Sequence, residues 1–370
     1  MDFPIIEDRP GGSTSFLNNM PDPLTSGKKL PTFKFNIEGQ VGKEDNGSYG
    51  KEATAAQLPI SKGIAGVSMV LQPGVMRELH WHATAAEWAF VLDGHVRTTL
   101  VDPAGHSQTN DFAPGDVWYF PRGHGHMLEA LGDKPCHFIL MFDNGYQSEF
   151  GTFSISDWMA QVPTATLAKS LRVPEEKLKN LPEGEVYFAK GAIPPVPAAP
   201  PRTGPNPSAL THKYELLSQA PTGVFDGGRE WVVDQSRFPI STTMTGVYFE
   251  LDPGALRTLH WHPNADEWQY YIAGRGRMTV FGSHGRARTE EFSGGDVGYV
   301  PTGYGHYIEN TGSEDLEILI AFNNGTYEAI NITAWMAANP RLLLATNFGV
   351  PESTFEKFPH REVVIPEGKR

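Results

Sequence analysis

His80–Trp88, HWHATAAEW, and His260–Trp268, HWHPNADEW, place two histidines, a glutamate and a tryptophan at one spacing twice in the same chain. The offset is 260 − 80 = 180, and it carries far more than the motif. It takes Pro73-Gly74 to Pro253-Gly254, Arg77 to Arg257, Glu87 to Glu267 and Gly94 to Gly274. It also takes Gly115-Asp116 to Gly295-Asp296, Tyr119 to Tyr299, Pro121 to Pro301, His126 to His306 and Asn144-Gly145 to Asn324-Gly325. A register held without a gap from Pro73 to Gly145 is an internal duplication, with a period far longer than that of a solenoid repeat. Beyond Gly145 the offset falls: Trp158 matches Trp335, Val173-Pro174 matches Val350-Pro351 and Pro182 matches Pro359, so 335 − 158 = 177. Copy 1 therefore has three more residues (180 − 177) between Gly145 and Trp158 than copy 2 has.

The 370 residues divide accordingly into an irregular arm (1–32), a first domain (33–185), a connector (186–210) and a second domain (211–370). The connector contains AIPPVPAAPPRTGPNPSA, whose prolines forbid a helix or central strand and favour a stiff, extended link. Within each copy, AGVSMVL, EWAFVL, HVRTTLV and HFILMF, then TGVYFEL, EWQYYI, RMTVF and LEILIAF, are short, β-branched and aromatic, and turn residues separate them. An all-β chain with a sandwich or barrel in each half follows. Short helices are expected after each barrel, at TLAKSLRVPEEKLKNL and RLLLATNFGVPESTFEKF.

Composition bounds the function. Hydrophobic residues at 39% and charged residues at 20% are ordinary for a globular chain, and there is no apolar run of membrane-spanning length. A net charge of −13 disfavours a nucleic-acid surface and gives no long-range attraction to anions, so any bound anion needs a local positive site. The single cysteine, Cys136, excludes an intramolecular disulfide and thiolate metal clusters. The start, MDFPIIEDRPGG, lacks a signal peptide, which reads as cytoplasmic, while Asn46-Gly-Ser, Asn324-Gly-Thr and Asn331-Ile-Thr fit glycosylation acceptors and would suit a secreted chain whose leader had been removed.

Residues two apart on a strand face the same way, so His80 projects with His82, and His260 with His262. Glu87 and Glu267 follow across a short turn, and His126 and His306 occupy matching places in PRGHGH and PTGYGH. Three neutral imidazoles and one carboxylate suit a divalent first-row ion and leave positions open for small ligands; iron, cobalt, nickel and zinc fit as well as manganese. The other seven of the thirteen histidines do not recur and read as structural or exposed. Strict alternation turns Arg77, three residues before His80, away from the ligands, as for a structural salt bridge. Glu149, in the longer loop DNGYQSEFGTFSISDW, reads on its residues alone as a solvated loop carboxylate.

The runs G74VMRELHWHATAAEWAFVLDG94 and G115DVWYFPRGHGH126, with G254ALRTLHWHPNADEWQYYIAG274 and G295DVGYVPTGYGH306, resemble the paired motifs of the cupin superfamily. Duplicated, they look like the bicupin oxalate decarboxylases, over nearly the whole chain beyond the arm. That resemblance implies two tandem cupin (double-stranded β-helix, or jelly-roll) barrels with two Mn2+ per chain, one in each barrel. His80, His82, Glu87 and His126 would be the ligands in copy 1, and His260, His262, Glu267 and His306 in copy 2. It implies a carboxy-lyase, with dioxygen as co-catalyst, that turns oxalate into formate and carbon dioxide, and a homo-oligomer, trimer or hexamer. It places Arg77 beside the substrate, and it makes Glu149 the proton donor of an active-site lid. The lid departs from the usual Ser-Glu-Asn-Ser-Thr: Phe150 and Gly151 replace Asn and Ser, and Thr152 is kept. Ile320 stands where some relatives carry a glutamate near the second metal, and Glu328 is the nearest substitute, so copy 1 is the expected site of turnover. Two other functions stay open: an oxalate oxidase releasing carbon dioxide and hydrogen peroxide, and a non-enzymatic storage-like bicupin.

Overall fold

The computed structural model describes residues 30–196 and 209–368; most of the arm expected over 1–32, and the middle of the connector, lie outside them. Each copy forms two facing antiparallel sheets. In copy 1 a seven-stranded sheet runs in the order Lys213–Glu215, Asp116–Phe120, Glu87–Asp93, Cys136–Phe142, Ala65–Leu71, Ser48–Ala53 and Lys43–Asp45. Opposite it lie Phe153–Ser154, Val75–Trp81, Gly125–Leu131, His95–Val101 and Ser107–Phe112. Copy 2 repeats this plan, and short helices follow each barrel at Ile155–Ala160, Thr164–Leu171, Ile332–Ala337 and Arg341–Phe348. Among the described residues no helix is long and apolar enough to cross a membrane.

The two seven-stranded sheets pack back to back, so both faces of their central strands are buried and those strands read as unbroken apolar runs. In Glu87–Asp93, Ala89 and Val91 point into barrel 1, while Trp88 and Phe90 join the core shared with barrel 2. In Cys136–Phe142, Phe138 and Leu140 point inward, and Ile139 and Met141 outward. Phe90 stacks on Tyr248 of the other barrel at 5.7 Å. Trp88 lies against Gly246, and Trp268 lies against Gly66, the same contact made reciprocally by the two copies. This explains the tryptophan that follows each glutamate.

The copies also exchange an edge. Lys34–Asn36 pairs with Asp296–Val300 of barrel 2, and Lys213–Glu215 pairs with Asp116–Phe120 of barrel 1. Each sequence copy thus lends its first strand to its neighbour's sheet. That closes an edge which would otherwise present unpaired backbone groups.

Candidate metal centres

In barrel 1 His80 and His82 come from the end of Val75–Trp81, His126 comes from Gly125–Leu131 beside it, and Glu87 comes from the facing sheet. One ligand atom from each lies within 4.8 Å of all the others, and the same holds for His260, His262, Glu267 and His306. All eight residues are buried.

Backbone carbonyls set the tautomers. The Nδ1–H groups of His80, His126, His260, His262 and His306 donate to Glu78 O at 2.6 Å, His124 O at 2.9 Å, Thr258 O at 2.6 Å, Glu328 O at 2.7 Å and Tyr304 O at 3.1 Å. Each ring therefore presents an Nε2 lone pair to the centre. His80, His126, His262 and His306 Nε2 and Glu267 Oε2 are buried with no hydrogen-bond partner among the described residues. Converging, orphaned donor atoms of this kind fit a cation. The charge states agree. Burial pushes the His80 and His260 imidazoles well below their ordinary pKa and His262 below it, which keeps them neutral. Burial alone would raise Glu87 and Glu267, but His126 and His82, and His306 and His262, outweigh it and hold both carboxyls far down. Trp118 Nε1–H donates to Glu87 Oε1 at 2.8 Å, whereas the Gln269 amide serves Glu267 at 2.6 Å.

The arginine corrects a sequence expectation. Strand Val75–Trp81 pairs His80 with His126 and Arg77 with Leu128, so three residues on one side match two on the other. This bulge cancels the odd spacing, and Arg77 points inward with the histidines. The copy 2 strand has the same shift between Arg257 and His260.

Glu149 is not solvated: the residue is 1% exposed, inside barrel 1. Ser148 caps a single 3-10 turn, Glu149–Gly151. Arg77 Nε donates to Glu149 Oε1 at 2.8 Å, and another guanidinium nitrogen donates to Thr152 Oγ1 at 2.5 Å. The guanidinium also lies 3.9 Å from the Tyr187 ring centre. Burial opposes the charge on Arg77, but Glu149, with Tyr187 and Glu185, more than offsets it. Glu149 Oε2 has no hydrogen-bond partner among the described residues and sits 3.8 Å from His82 Nε2. Sequence reading missed Gln147, whose amide lies 3.5 Å from His82 Nδ1, and Glu52, whose carboxylate holds Ser148. The only signal for Gln147 was its place in the longer loop.

Barrel 2 lacks that arrangement. Arg257 donates to Asn331 Oδ1 at 2.7 Å, Ile320 is buried apolar, and the Glu328 side chain is exposed, its carbonyl serving His262 instead. A second carboxylate, Glu230, lines this cavity with Arg257, Tyr327, His260, His262 and Glu267, and no motif singles it out.

The family model for the cupin domain matches residues 33–179 and 214–355. The oxalate decarboxylase OxdC of Bacillus subtilis (strain 168) is 41% identical over 321 residues, 86% of this chain and 82% of that protein. A probable oxalate decarboxylase of Arthroderma benhamiae is 33% identical over 353 residues, 93% of this chain and 85% of that one. A solved structure of the Bacillus subtilis oxalate decarboxylase, an examination of its Mn(II) centres, superposes with a TM-score of 0.86 at 37% identity, covering 94% of this chain and 92% of that one.

Proposed function

Because the chain belongs to the bicupin oxalate decarboxylases of the cupin superfamily, we propose that it splits oxalate into formate and carbon dioxide, with manganese in both centres, dioxygen as co-catalyst, and turnover in barrel 1. The observation that carries this reading is Glu149: one carboxylate oxygen tied to Arg77, the other buried, unpartnered among the described residues and facing the ligand cluster. His80, His82, Glu87 and His126 would hold the first ion, and His260, His262, Glu267 and His306 the second. When bound, manganese with dioxygen supplies the one-electron chemistry that labilises the carbon–carbon bond.

The protein's own groups do the rest. Arg77 supplies the local positive charge that a chain of net charge −13 otherwise lacks, and its donors suit a small carboxylate. Glu149 takes the acidic proton of the hydrogen oxalate monoanion at Oε2. Once carbon dioxide has left, it returns that proton to the remaining carbon, giving formate. With no acid in reach, further oxidation yields two carbon dioxide molecules and hydrogen peroxide, the oxidase outcome. The buried position of Glu149 favours decarboxylation. In barrel 2 Glu230 shares the cavity with Arg257, but among the described residues no loop carboxylate is bonded to that arginine, whose guanidinium donates to Asn331 instead, and that centre serves stability. Assembly into trimers or hexamers would cover Trp335, Leu343 and Phe348, which the helices Ile332–Ala337 and Arg341–Phe348 leave more than half exposed.

Glu149→Gln tests the reading. It keeps the size and the bond from Arg77 but removes the acid, and formate release should fall about a hundredfold or more, within the usual range for a lost general acid. Residual turnover should shift towards peroxide, with metal content by elemental analysis unchanged. Formate release at the wild-type rate would remove Glu149 from the mechanism.

A further inference from the structure

The duplication offers an internal control for what belongs to the lid and what belongs to the barrel. Copy 1 has the three extra residues, and copy 2 does not. Two positions on the wall beneath the lid differ in step with it. Gly50 and Glu52 of strand Ser48–Ala53 correspond, at the offset of 180, to Glu230 and Val232 of strand Gly228–Val233.

Each has a contact that the other copy cannot make. Glu52 is 7% exposed, and its Oε2 accepts two lid donors, the Ser148 hydroxyl at 2.8 Å and the Glu149 amide at 3.1 Å. Ser148 Oγ in turn accepts the Phe150 amide at 3.2 Å, so one carboxylate oxygen organises the whole turn. Val232 has no acceptor to offer. At Gly50 a Cβ would come within 3.0 Å of Tyr187 Oη and 3.5 Å of Phe150 Cε1. The missing side chain makes room for the Tyr187 hydroxyl, and the Phe150 ring lies beside it, 6.3 Å from the Tyr187 ring at 61°, against the barrel 1 core. A glutamate there, as in copy 2, would occupy that space. Phe150 is one of the two residues by which this lid departs from the usual polar sequence, and the face it rests on also carries Arg77, 3.9 Å above the Tyr187 ring.

We propose that the lid over barrel 1 is held shut by a two-part catch, Glu52 gripping the Ser148–Glu149 end and Tyr187 seating Phe150. Glu52 and Phe150 are positioning residues, since neither is placed against the reacting atoms. Apolar packing takes over from the side-chain hydrogen bonds that Asn and Ser would have made. The catch fixes Glu149 twice, through its amide to Glu52 and through its carboxylate to Arg77. The consequence for product choice rests on the function proposed above; the catch itself does not.

Hydrogen–deuterium exchange of the metal-loaded full chain reads the catch directly, at the amides of Glu149 and Phe150. Glu52→Val, which installs the copy 2 residue, and Phe150→Ala should each speed this exchange about tenfold or more, given the strength of hydrogen bonds to a carboxylate and of a buried ring. Glu52→Gln keeps an acceptor and Phe150→Leu keeps an apolar plug, so both should stay within about threefold of wild type. In the fast-exchanging variants the ratio of formate to peroxide should fall, with metal content unchanged. Unaltered exchange in both Glu52→Val and Phe150→Ala would overturn the catch, as would acceleration spread evenly over barrel 1 rather than confined to the lid. Fast exchange with an unchanged product ratio would support the catch and refute the control of product choice by the lid.

Discussion

Gly246→Ala is the sharpest test of how the two barrels hold each other. Gly246 lies in strand Thr245–Leu251, and its φ is not in the left-handed region, so alanine carries no backbone penalty. The whole effect is spatial. The new methyl would fall well inside contact distance of Trp88 Cζ2, Cη2 and Cε2. Trp88 is fully buried, so the indole cannot swing into solvent. Overpacking a close-packed core costs about 1–3 kcal/mol, and an intrusion onto ring carbons belongs at or above the top of that range. The loss should be about 3 kcal/mol by urea unfolding of the metal-loaded chain. Trp88→Phe vacates the space the methyl needs, so the double variant should recover about 2 kcal/mol relative to the sum of the single changes. Because Trp88 is joined directly to Glu87, Gly246→Ala should also weaken metal retention in barrel 1. Gly66→Ala against Trp268 should behave alike for barrel 2. A coupling near zero between Gly246→Ala and Trp88→Phe would refute the reciprocal contact as the source of the effect.

Arg77→Lys keeps a charge but loses the fork that spans Glu149 and Thr152, so turnover should fall steeply at normal metal content; an unchanged rate would return Arg77 to a structural role. His82→Ala should abolish turnover, whereas His262→Ala should chiefly lower the melting temperature, because bound metal stabilises the fold that binds it; the reverse pattern, with the first site occupied, would move catalysis to barrel 2. His212 is buried in barrel 1, bonded to Thr98 Oγ1 at 2.7 Å, and burial lowers its pKa to about 3. Its depressed value means the unfolded chain takes up a proton below about pH 6.5 that the folded chain refuses, so stability drains at about 1.4 kcal/mol per pH unit as pH falls from there towards 3. His212→Gln should flatten that limb of the stability curve by about this slope, and parallel acid limbs for variant and wild type would refute it.

Sequence logic succeeded where the physics is periodic and repeated. Alternation put His80 and His82 on one face, the offset of 180 supplied Glu87 and His126 with their copies, and the fold brings all eight residues into two clusters. It failed at Arg77 because a bulge adds one residue on one strand only, and nothing in VMRELHW announces it. It failed at Glu149 for a related reason. A short polar turn looks solvated when its partners, Arg77 and Glu52, lie 72 and 97 residues away from it in sequence. The exchanged strands Lys34–Asn36 and Lys213–Glu215 were likewise invisible, since three-residue edge strands carry almost no pattern and their pairing partners belong to the other copy.

The bulge also bears on why two such similar centres differ. It occurs in both copies, so both present an inward arginine, and both share the ligand set. The scaffold therefore supplies a cation site and a guanidinium twice. What it does not repeat is an acid carried by the loop: the barrel 2 cavity carboxylate, Glu230, comes from the wall strand Gly228–Val233. In barrel 1 the three extra residues bring a carboxylate onto the arginine from outside the sheets, while in barrel 2 the arginine is satisfied by Asn331 Oδ1, from the start of the following helix. An arginine already paired with a neutral amide in a closed wall has no need of a lid. A buried arginine without such a partner would be costly unless a carboxylate came down to meet it. On the proposed function, the charge that would draw oxalate into barrel 1 is thus the charge that meets the lid, and binding and closure would compete for one guanidinium. The lid would then have to yield when substrate enters, which gives Glu52 and Phe150 their place in the proposed catch: anchors that substrate does not displace would allow the lid to close again over an occupied site.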